Sequence, residues 1–510
     1  MSSLLAHGIG VARREVAELG VTRVSSRAKN ANIADTGGFE ATLDRFFRFR
    51  SMGSNMRTEM FAGLTTFIVM SYIIFVNPQI LNLPDGTGLP IQATTTSTCL
   101  VAGVMTIIMG LYSNRAFAIA PGLGLNAIVA FTLVLGEGLT FPQAMGVIVA
   151  EGILITVLVL VGLRRYVMDL VPLELKKAIS VGIGLFILFI GLVNGGIVER
   201  NSKPDSTPLL IGNLHGLPVL VTAIGLAITI AMLARGYRAA ILIGIVATTV
   251  IAIILEEILS TGQFGPGVAQ VPTTWIDTPD FSLLGDFSFS FFSQMGIGVA
   301  ILTILAIMMA DFFDTMGTLV GVGSQAGYLN EKGELPDAQK PLLVDSVAAI
   351  AGGAASSSSA TTYIESAAGV GNGGRSGLVA VVVGVLFLLA MPFAPLVGVV
   401  PTQATAPALI VVGWMMTSVL SDREEVTSDG RTVRTRGIDF SDIEVGLPVL
   451  AAMIMMPLTY NITNGIGAGF VVWTLVKVFR GKAREVHPTL YVVSAAFLIY
   501  FLRSYLGVHA

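Results

Sequence analysis

The sequence is poor in the residues that hold disulfides and metals. Cys99 is the single cysteine among 510 residues, which excludes an intrachain disulfide framework and a multi-cysteine metal site. The 4 histidines are too scattered in the chain for a metal cluster. Charged residues make up 12% of the chain, against about 25% in an ordinary soluble domain. The net charge of −3 argues against a nucleic-acid partner.

The chain also lacks the motifs of ATP-driven pumps and membrane proteases. It has no phosphate-binding P-loop, so ATP hydrolysis within this chain does not drive it, and no HExxH motif, which excludes a zincin-type protease. An intramembrane aspartyl protease needs two facing aspartates, whereas Asp311 and Asp314 share one predicted helix. We therefore expect a transporter rather than an enzyme, with no cofactor and no bound metal.

What the chain has in excess is apolar sequence, with 53% hydrophobic residues. Since a helix needs about 20 apolar residues to cross a bilayer, the pattern predicts an all-α polytopic membrane protein with about 14 transmembrane spans. The first seven are predicted near residues 59–81, 91–112, 116–135, 141–163, 173–194, 215–234 and 237–258. The second seven are predicted near 295–322, 342–355, 359–371, 376–398, 403–420, 443–459 and 462–479.

These spans define four predicted parts: a cytoplasmic N-terminal tail (1–56), a first seven-span repeat (57–258), an extracytoplasmic linker (259–294) and a second seven-span repeat (295–510). A transit peptide is the alternative for the Arg- and Ser-rich tail. The segment 487–506 also has two interpretations: a fifteenth crossing or half-buried helix, or the last span if 443–479 is one discontinuous element around 457–461.

Basic residues predict that the N-terminus lies inside, because Lys and Arg are enriched in inner loops. The linker contains neither residue type, and neither do the loops 82–90 and 136–140. The basic residues expected on the inner side are Arg45, Arg48, Arg50, Arg57, Arg164, Arg165, Lys176, Lys177, Arg235, Arg238, Arg375, Arg431, Arg434, Arg436, Arg480, Lys482 and Arg484.

The third element of each half is interrupted. Pro121, Gly122 and Gly124 break the first, and the second is the short, Gly-rich stretch 358–374. An odd number of spans in each half inverts the second half relative to the first, and interrupted segments at corresponding positions indicate a substrate site. We expect backbone N–H groups and helix N-termini freed at these breaks to bind ligand.

Carboxylates lie at and near these breaks. Asp311 and Asp314 end an apolar run, and an acid at the bilayer centre costs roughly 2.5–3.5 kcal/mol, so it normally faces a cavity or a partner. Glu365 follows in the hydroxyl-rich stretch 356–366. The alternatives are a helix cap or a buried basic partner for Asp314, and a helix start for Glu365. Asp345 begins an apolar stretch, which favours a cap or a network partner.

Two amides and two glycine runs complete the candidates. Asn77 precedes Pro78 near the end of the first span, and Asn126 lies in the broken third element. The glycines of 122–124 and 317–323 are more typical of close helix packing than of ligand loops.

Several stretches together resemble one family: 57–67 with 75–78, 118–127, 313–318, 363–369, 457–466 and 484–488. On these residues the chain resembles the AzgA-like purine nucleobase permeases, relatives of the uracil/xanthine permeases. The resemblance implies a 7+7 inverted repeat with a core domain (spans 1–4 and 8–11) and a gate domain (spans 5–7 and 12–14). It also implies uptake of adenine, guanine or hypoxanthine by proton symport, with alternating access, in the plasma membrane or a bacterial inner membrane.

The expected partners are a purine nucleobase, a proton and the lipid bilayer, with a homodimer left open. Carboxylates accept the ring N–H bonds of a purine, and an aromatic ring stacks on its face. The substrate-binding candidates are Asp314, Glu365, Phe117, Asn126, Thr362 and Asn77. The candidates for proton coupling are Asp314, Glu365, Asp311 and Asp345.

Two other functions stay open. Oxygen atoms of 356–362 could hold Na⁺ in a sodium-coupled nucleobase symporter. An anion exchanger or channel could use the same inverted-repeat architecture, although Asp314 and Glu365 would repel an anion and Arg115 is the basic residue at the breaks.

Overall fold

The computed structural model describes most of the chain: residues 38–83, 86–163, 171–201, 207–260, 262–265, 267–330, 335–420, 425–428, 431–434 and 438–502. Most of the predicted N-terminal tail (1–37) lies outside the described residues, as do Arg164, Arg165 and Arg436 of the predicted inner loops.

Helices make up most of the described residues. Those before the linker are α1 (Phe39–Phe47), α2 (Met56–Met70), α3 (Ile73–Leu81), α4 (Ile91–Ser113), α5 (Leu123–Ala127), a π-helix (Ile128–Gly136), α6 (Phe141–Val161), α7 (Leu173–Asn194), α8 (Leu217–Ala234) and α9 (Ala240–Leu259). Those that follow are α10 (Phe291–Met295), α11 (Ile297–Ala326), α12 (Gln339–Ala354), α13 (Ser366–Gly371), α14 (Gly377–Ala390), α15 (Ala394–Gly398), α16 (Thr402–Thr417), α17 (Ile443–Thr459), α18 (Ile462–Phe479) and α19 (Pro488–Leu502).

Within the described residues, six short strands form three antiparallel pairs: β1 (Ile119–Pro121) with β4 (Ala360–Thr362), β2 (Val198–Arg200) with β3 (Leu209–Ile211), and β5 (Glu425–Ser428) with β6 (Arg431–Arg434). The pair β1–β4 is the one that bears on the site. It is also a departure from the all-α prediction, although the fold is helical as expected.

Nine helical segments of the described residues have at least 18 residues and are apolar enough to cross a bilayer. Together with three shorter apolar helices, Leu123–Gly136, Ile443–Thr459 and Pro488–Leu502, they confirm a helical polytopic membrane protein. The predicted span 173–194 has the same bounds as α7. The predicted spans 116–135 and 359–371 are not continuous α-helices, because each begins with a strand.

Local sequence explains how α6 begins and how α4 buries polar residues. Thr140 and Gln143 form a capping box at the start of α6, with a proline in the first turn. Helix α4 carries a buried run of hydroxyl residues near its start. The hydroxyls of Thr94, Thr95 and Thr98 each donate to the carbonyl four residues earlier. Because these bonds lie within the helix, the hydroxyl hydrogens need no acceptor from another element.

The spans pack into two groups. One group joins α4 to α12 and α14, α6 to α11 and α12, and α2 to α13 and α14. The other joins α7 to α16 and α17, and packs α8, α9 and α16 together.

Glycines bring α4 and α14 into backbone contact. Gly103 and Gly110 of α4 lie two turns apart, as do Gly377 and Gly384 of α14. A Cβ atom added at Gly110 would lie 2.4 Å from the carbonyl oxygen of Gly377, and one added at Gly384 would lie 2.4 Å from that of Gly103. Small residues permit this close approach between transmembrane helices.

We expect Gly110→Ala to destabilise the protein by about 1–3 kcal/mol, because its methyl group would overpack the interface with α14. A thermal-unfolding curve in detergent measures the effect. The matched control is Gly317→Ala on α11, where an added Cβ has no atom within 4 Å. There the same substitution should leave the melting temperature unchanged or raise it. Equal melting temperatures for the two variants would contradict the packing argument.

The C-terminal helices form a hairpin followed by a third helix. Glu444, near the start of α17, accepts a hydrogen bond from Lys477 Nζ, near the end of α18, at 2.9 Å. One straight discontinuous element would separate these residues by about 50 Å at 1.5 Å per residue, so that interpretation of 443–479 is wrong. Helix α19 packs on α18, where Thr474 and Ser494 share a hydrogen bond of 2.7 Å.

The linker is tied to the start of α4. Gln92 Nε2 donates to Asp277 Oδ2 at 3.0 Å, and the backbone N–H of Asp280 donates to the Thr96 hydroxyl at 3.2 Å. The backbone N–H of Thr278, followed by Gln92, holds the pKa of the Asp277 carboxyl below its usual range.

Candidate functional site

The two broken elements meet as an antiparallel strand pair. Ile119 lies opposite Thr362, Ala120 opposite Thr361, and Pro121 opposite Ala360. The ladder extends by one bond at each end, because Gly122 N–H donates to the Ser359 carbonyl and Tyr363 N–H to the Ala118 carbonyl, each at 2.9 Å. Both strands are fully buried. Non-helical backbone at membrane depth is tolerated where protein surrounds it, and this pair meets that condition.

The ladder corrects the expectation that backbone N–H groups at these breaks are free for a ligand. Besides the ladder bonds, the N–H of Ala118 donates to the Ser366 hydroxyl at 3.0 Å and that of Ile119 to the Thr106 hydroxyl at 2.9 Å. These donors are therefore already paired. Such pairing is expected, since a buried N–H without a partner would cost about as much as a lost hydrogen bond. The N–H groups of the strands are therefore not free for a ligand, while ligand binding by the N-termini of α5 and α13 stays a prediction.

Asp345 of α12 connects α11 to β4. Its Oδ1 accepts from the backbone N–H of Thr362 at 2.7 Å and from its hydroxyl at 2.6 Å, and its Oδ2 accepts from the Thr315 hydroxyl at 2.7 Å. Thr315 also shares a 2.6 Å hydrogen bond with Thr361. Three donors satisfy this buried carboxylate, so Asp345 and Thr362 serve the frame of the site in this structure.

Asp311 is buried deeper in the same region. Its Oδ2 accepts from the Ser359 hydroxyl at 3.2 Å, whereas its Oδ1 has no hydrogen-bond donor among the described residues. Its carboxyl group lies within hydrogen-bond reach of the carboxyl of Glu151 on α6. Sequence reasoning missed Glu151. The available signal was an acid in the middle of the apolar run 141–163.

Asp314 and Glu365 differ from these acids because both are half-buried rather than enclosed. Tyr72 donates its hydroxyl to Glu365 Oε1 at 2.7 Å. The carboxyl groups of Asp314 and Glu365 are close enough to interact electrostatically, and Tyr72 and Tyr363 feel both charges. Two carboxylates and two phenols therefore converge beside the strand pair. Neither tyrosine was among the sequence candidates, since no local pattern marks them.

The structure tests the alternative roles of Asp314 and Glu365, which were a helix cap or a basic partner for Asp314 and a helix start for Glu365. Asp314 lies in the interior of α11, so it is not a helix cap. Among the described residues, no Lys, Arg or His side chain forms an ion pair with Asp314. Glu365 does stand at the N-cap of α13, but its side chain makes no capping hydrogen bond.

The two asparagine candidates have different surroundings. Asn77 Nδ2 donates to the Thr98 hydroxyl at 2.8 Å and to the Ser357 carbonyl at 3.2 Å, so it ties α3 to α4 and to the serine-rich stretch. Asn126 is fully buried on α5, and neither its Nδ2 nor its Oδ1 has a hydrogen-bond partner among the described residues. An unpaired buried amide is costly, so a water or ligand bonded to Asn126 would stabilise it, and its role in substrate binding stays a prediction.

Phe117 is fully buried in this structure. Its ring makes an edge contact with Tyr328, with ring centroids 5.9 Å apart, and the Arg115 guanidinium lies 4.4 Å from the centre of the Tyr328 ring. The face of Phe117 is therefore covered here, and its stacking on a purine stays a prediction.

The two glycine runs differ in packing. A Cβ atom at Gly124 would lie 2.5 Å from Ile183 Cγ2, which is the close packing expected. At Gly317 nothing lies within 4 Å, and Gly321 is near Ile364 alone at 3.5 Å, so the packing interpretation is wrong for this part of α11. Gly317, Gly321 and Ser324 are exposed and follow Asp314 at helical spacing. They form an open face of α11 that leads from Asp314 toward the end of the helix.

Neither Asp314 nor Glu365 lines either of two cavities formed by described residues. One of 560 Å³ is lined by Phe131, Tyr460, Asn461, Asn464 and Tyr500 among others, and one of 450 Å³ by Asn194, Glu199, Asn213, Gln263 and Gln403 among others. We place the candidate site at Asp314 and Glu365 because charged groups converge there, on an open face rather than in an enclosed cavity. The described residues contain no cluster of three or more His, Cys, Asp or Glu side chains able to hold a metal ion.

Comparison with known proteins identifies the family. The model of the Permease family matches residues 57–436. The chain belongs to this family. A guanine/hypoxanthine permease of Bacillus subtilis is 39% identical over 470 residues, which cover 90% of this chain and 99% of that relative. An adenine permease of Escherichia coli is 37% identical over 471 residues, which cover 92% of this chain and 98% of that relative.

These relatives confirm the resemblance to purine nucleobase permeases, and with it a transporter rather than an enzyme. Family and apolar helices together make the chain a multi-pass integral membrane protein.

Solved structures show the same fold in anion transporters. The transmembrane domain of a cyanobacterial bicarbonate transporter, BicA, has a TM-score of 0.57 and 14% identity, covering 80% of this chain and 97% of that chain. Murine Solute Carrier 26 family member A9, an anion transporter in the inward-facing state, has a TM-score of 0.57 and 11% identity, covering 89% of this chain and 74% of that chain. At such low identity these neighbours inform on the fold alone.

Proposed function

We propose that this permease takes up purine nucleobases by proton symport with alternating access. The observation that carries the proposal is the convergence of Asp314 and Glu365, two half-buried carboxyl groups on neighbouring elements, beside a strand pair that joins both broken segments. Relatives named as adenine and guanine/hypoxanthine permeases support the substrate class.

The chemistry of the site suits a purine. A purine is flat and mostly neutral, with N–H donors and N or O acceptors on its edge. Carboxylates of Asp314 and Glu365 can accept the N–H donors, and such charge-assisted bonds are about twice as strong as neutral ones. The unpaired amide of Asn126 offers both a donor and an acceptor, which suits a purine edge that carries an acceptor beside an N–H donor.

We extend the proposal to the architecture: 14 spans in two inverted repeats of seven (57–258 and 295–510), with the linker 259–294 between them. The two packing groups support this division. The group around α4, α6, α12 and α14 corresponds to the proposed core, and the group around α7, α8, α9 and α16 to the proposed gate. Substrate would lie between them, on the face of the core that carries Asp314.

Alternating access needs a path that opens to one side at a time. The exposed residues Gly317, Gly321 and Ser324 continue from Asp314 toward the C-terminal end of α11. We propose that the loop after α11 lies on the inner side, which follows by parity from the predicted inward N-terminus. On this topology the open face of α11 leads inward, and transport requires a second conformation in which this face closes against the gate.

An anion exchanger or channel of the same inverted-repeat architecture is the competing function, and the charge at the site decides against it. The half-buried groups at the site are acids, and a carboxylate repels an anion by Coulomb's law. Arg115, the basic residue expected near the breaks, lies over the ring of Tyr328. We therefore favour a neutral purine over an anion.

We expect proteoliposomes containing this protein to accumulate purines, and not pyrimidines, sulfate or bicarbonate, when an inward proton gradient is imposed without sodium. A neutral purine gains nothing from the membrane potential, so accumulation needs a coupled ion. Adding a protonophore should abolish it. Accumulation that survives the protonophore but needs sodium would show that sodium, and not the proton, is the coupling ion. Transport of bicarbonate or sulfate in place of purines would overturn the substrate class.

A further inference from the structure

A buried pair of acids lies behind the substrate face. Glu151 on α6 and Asp311 on α11 are 0% and 1% exposed, and their carboxyl groups lie within hydrogen-bond reach of each other. Neither oxygen of Glu151 has a hydrogen-bond donor among the described residues, nor does Oδ1 of Asp311. Helices α6, α11 and α12 pack closely around the pair, since a Cβ atom at Gly152 would lie 2.7 Å from the backbone nitrogen of Ile350.

Two ionised carboxylates cannot share such a place. Like charges in contact repel, and burial removes the water that would screen them, so one of the two acids takes a proton. Other acids add to the repulsion: Asp345 from α12, and Asp314 from the next turn of α11. Lys176 of α7 lies over the ring of Phe313, with its Nζ 5.6 Å from the ring centre. Phe313 points to a different face of the helix from Asp311.

A proton on this pair also satisfies the unpaired atoms. Placed on one carboxyl, it becomes the donor that the other carboxyl lacks, and one O–H···O bond then joins α6 to α11. Asp345 shows the contrast, because three donors from Thr315 and Thr362 already satisfy it and it can stay charged. Of the buried acids around the strand pair, the Glu151–Asp311 pair is the one whose geometry requires a proton.

The pair is connected to the substrate elements. Asp311 accepts from the Ser359 hydroxyl, and the carbonyl of Ser359 accepts from Gly122 N–H at the start of α5. Adding or removing a proton at the pair therefore changes a hydrogen bond next to both broken segments.

We propose that Glu151 and Asp311 together carry the coupled proton, while Asp314 and Glu365 hold the purine. This rests on the proposed function above. The pair binds one proton from water while its carboxyl groups are in contact. The O–H bond breaks and the proton returns to water when the packing of α6 against α11 opens on the other side of the membrane. Glu151 is thus a proton-coupling residue that does not touch the substrate.

The test uses the purified full-length protein in weakly buffered detergent, with hypoxanthine as the probe and a pH indicator as the readout. At a pH high enough to leave the pair partly deprotonated before ligand is added, we expect hypoxanthine binding to drive uptake of up to about one proton per ligand in wild type, because the coupling between proton and ligand binding is reciprocal. The variant Glu151→Gln keeps the shape and offers a permanent N–H donor to Asp311, so it should bind hypoxanthine with an affinity within about threefold of wild type and take up no proton. In proteoliposomes the variant should retain hypoxanthine counterflow but lose proton-driven accumulation.

Glu137→Gln is the matched control, because it makes the same chemical change at the end of the π-helix, where Tyr500 donates to the carboxylate. It should keep both proton uptake and accumulation. Asp311→Asn provides a second variant of the pair and should behave as Glu151→Gln does.

The outcomes separate this proposal from the proposed function. Wild type that binds no hypoxanthine, adenine or guanine overturns the function itself. Wild type that transports purines with protons, together with a Glu151→Gln variant that still takes up a proton, overturns the role of the pair alone. Loss of hypoxanthine binding in a folded Glu151→Gln variant, or failure of both pair variants to fold, would make the pair part of the site or its frame and would also overturn this role.

Discussion

Purine uptake should fall to background when Asp314 is replaced by Asn, with the protein still present in the membrane at wild-type abundance. Asp314 is the half-buried acid in the interior of α11, where it caps no helix. An amide cannot offer two charged acceptor oxygens to ring N–H groups. A hydrogen bond to a charged group contributes about 1.5–3 kcal/mol, and each 1.4 kcal/mol is a factor of about ten in affinity.

Uptake of radiolabelled purine and quantification of the protein in isolated membranes check this prediction together. Asp277→Asn in the linker is the control, since it makes the same substitution at an exposed carboxylate outside the spans. It should leave uptake unchanged. Wild-type uptake by Asp314→Asn would exclude Asp314 from substrate binding.

The second large effect is expected at Glu365, where Glu365→Gln should abolish purine binding with little change in the melting temperature of the ligand-free protein. Its carboxylate makes no cap bond to α13, and glutamine can still accept the hydroxyl of Tyr72. What the substitution removes is the negative charge that we propose to face the ligand. A binding assay and a melting curve on the purified variant measure the two properties separately.

Tyr72→Phe is the companion variant for this residue, because it removes the 2.7 Å hydrogen bond to Glu365 and keeps the ring. We expect it to weaken purine binding by about tenfold, since the carboxylate loses the donor that orients it. The opposite pattern for Glu365→Gln, a lower melting temperature with affinity kept, would mean that Glu365 stabilises the start of α13 instead.

Long apolar runs carried most of the information about the fold. Predicted spans such as 173–194 and 91–112 match α7 and α4 within a residue, because a bilayer fixes both the composition and the length of a crossing. The breaks at 116–135 and 359–371 were predicted from Pro and Gly. Their pairing as strands could not be, because the partners are about 240 residues apart in sequence and no local pattern encodes that contact.

Residues of the candidate site were predictable from the sequence where the residue type alone was unusual in its surroundings. Asp314 and Glu365 stand out because acids are rare in apolar sequence. Tyr72 and the freedom around Gly317 depend on which elements become neighbours, which the sequence pattern does not determine. Glu151 is also an acid in apolar sequence, so the rule that marks Asp314 applies to it. Its contact with Asp311, however, is known only from the structure.

The β1–β4 ladder has a consequence for how such permeases diversify. Main-chain atoms make its bonds, so the ladder tolerates substitutions that spare the side chains holding it in place, such as Asp345 and Thr362. Exchanging residues around it for those of a relative should change the nucleobase that is held without unfolding the frame. Inserting or deleting a single residue in 118–122 or 359–363 should not be tolerated, because a shift of one position turns every side chain of the strand to the opposite face. Adaptation to new nucleobases is therefore open to substitution along these segments and closed to changes in their length.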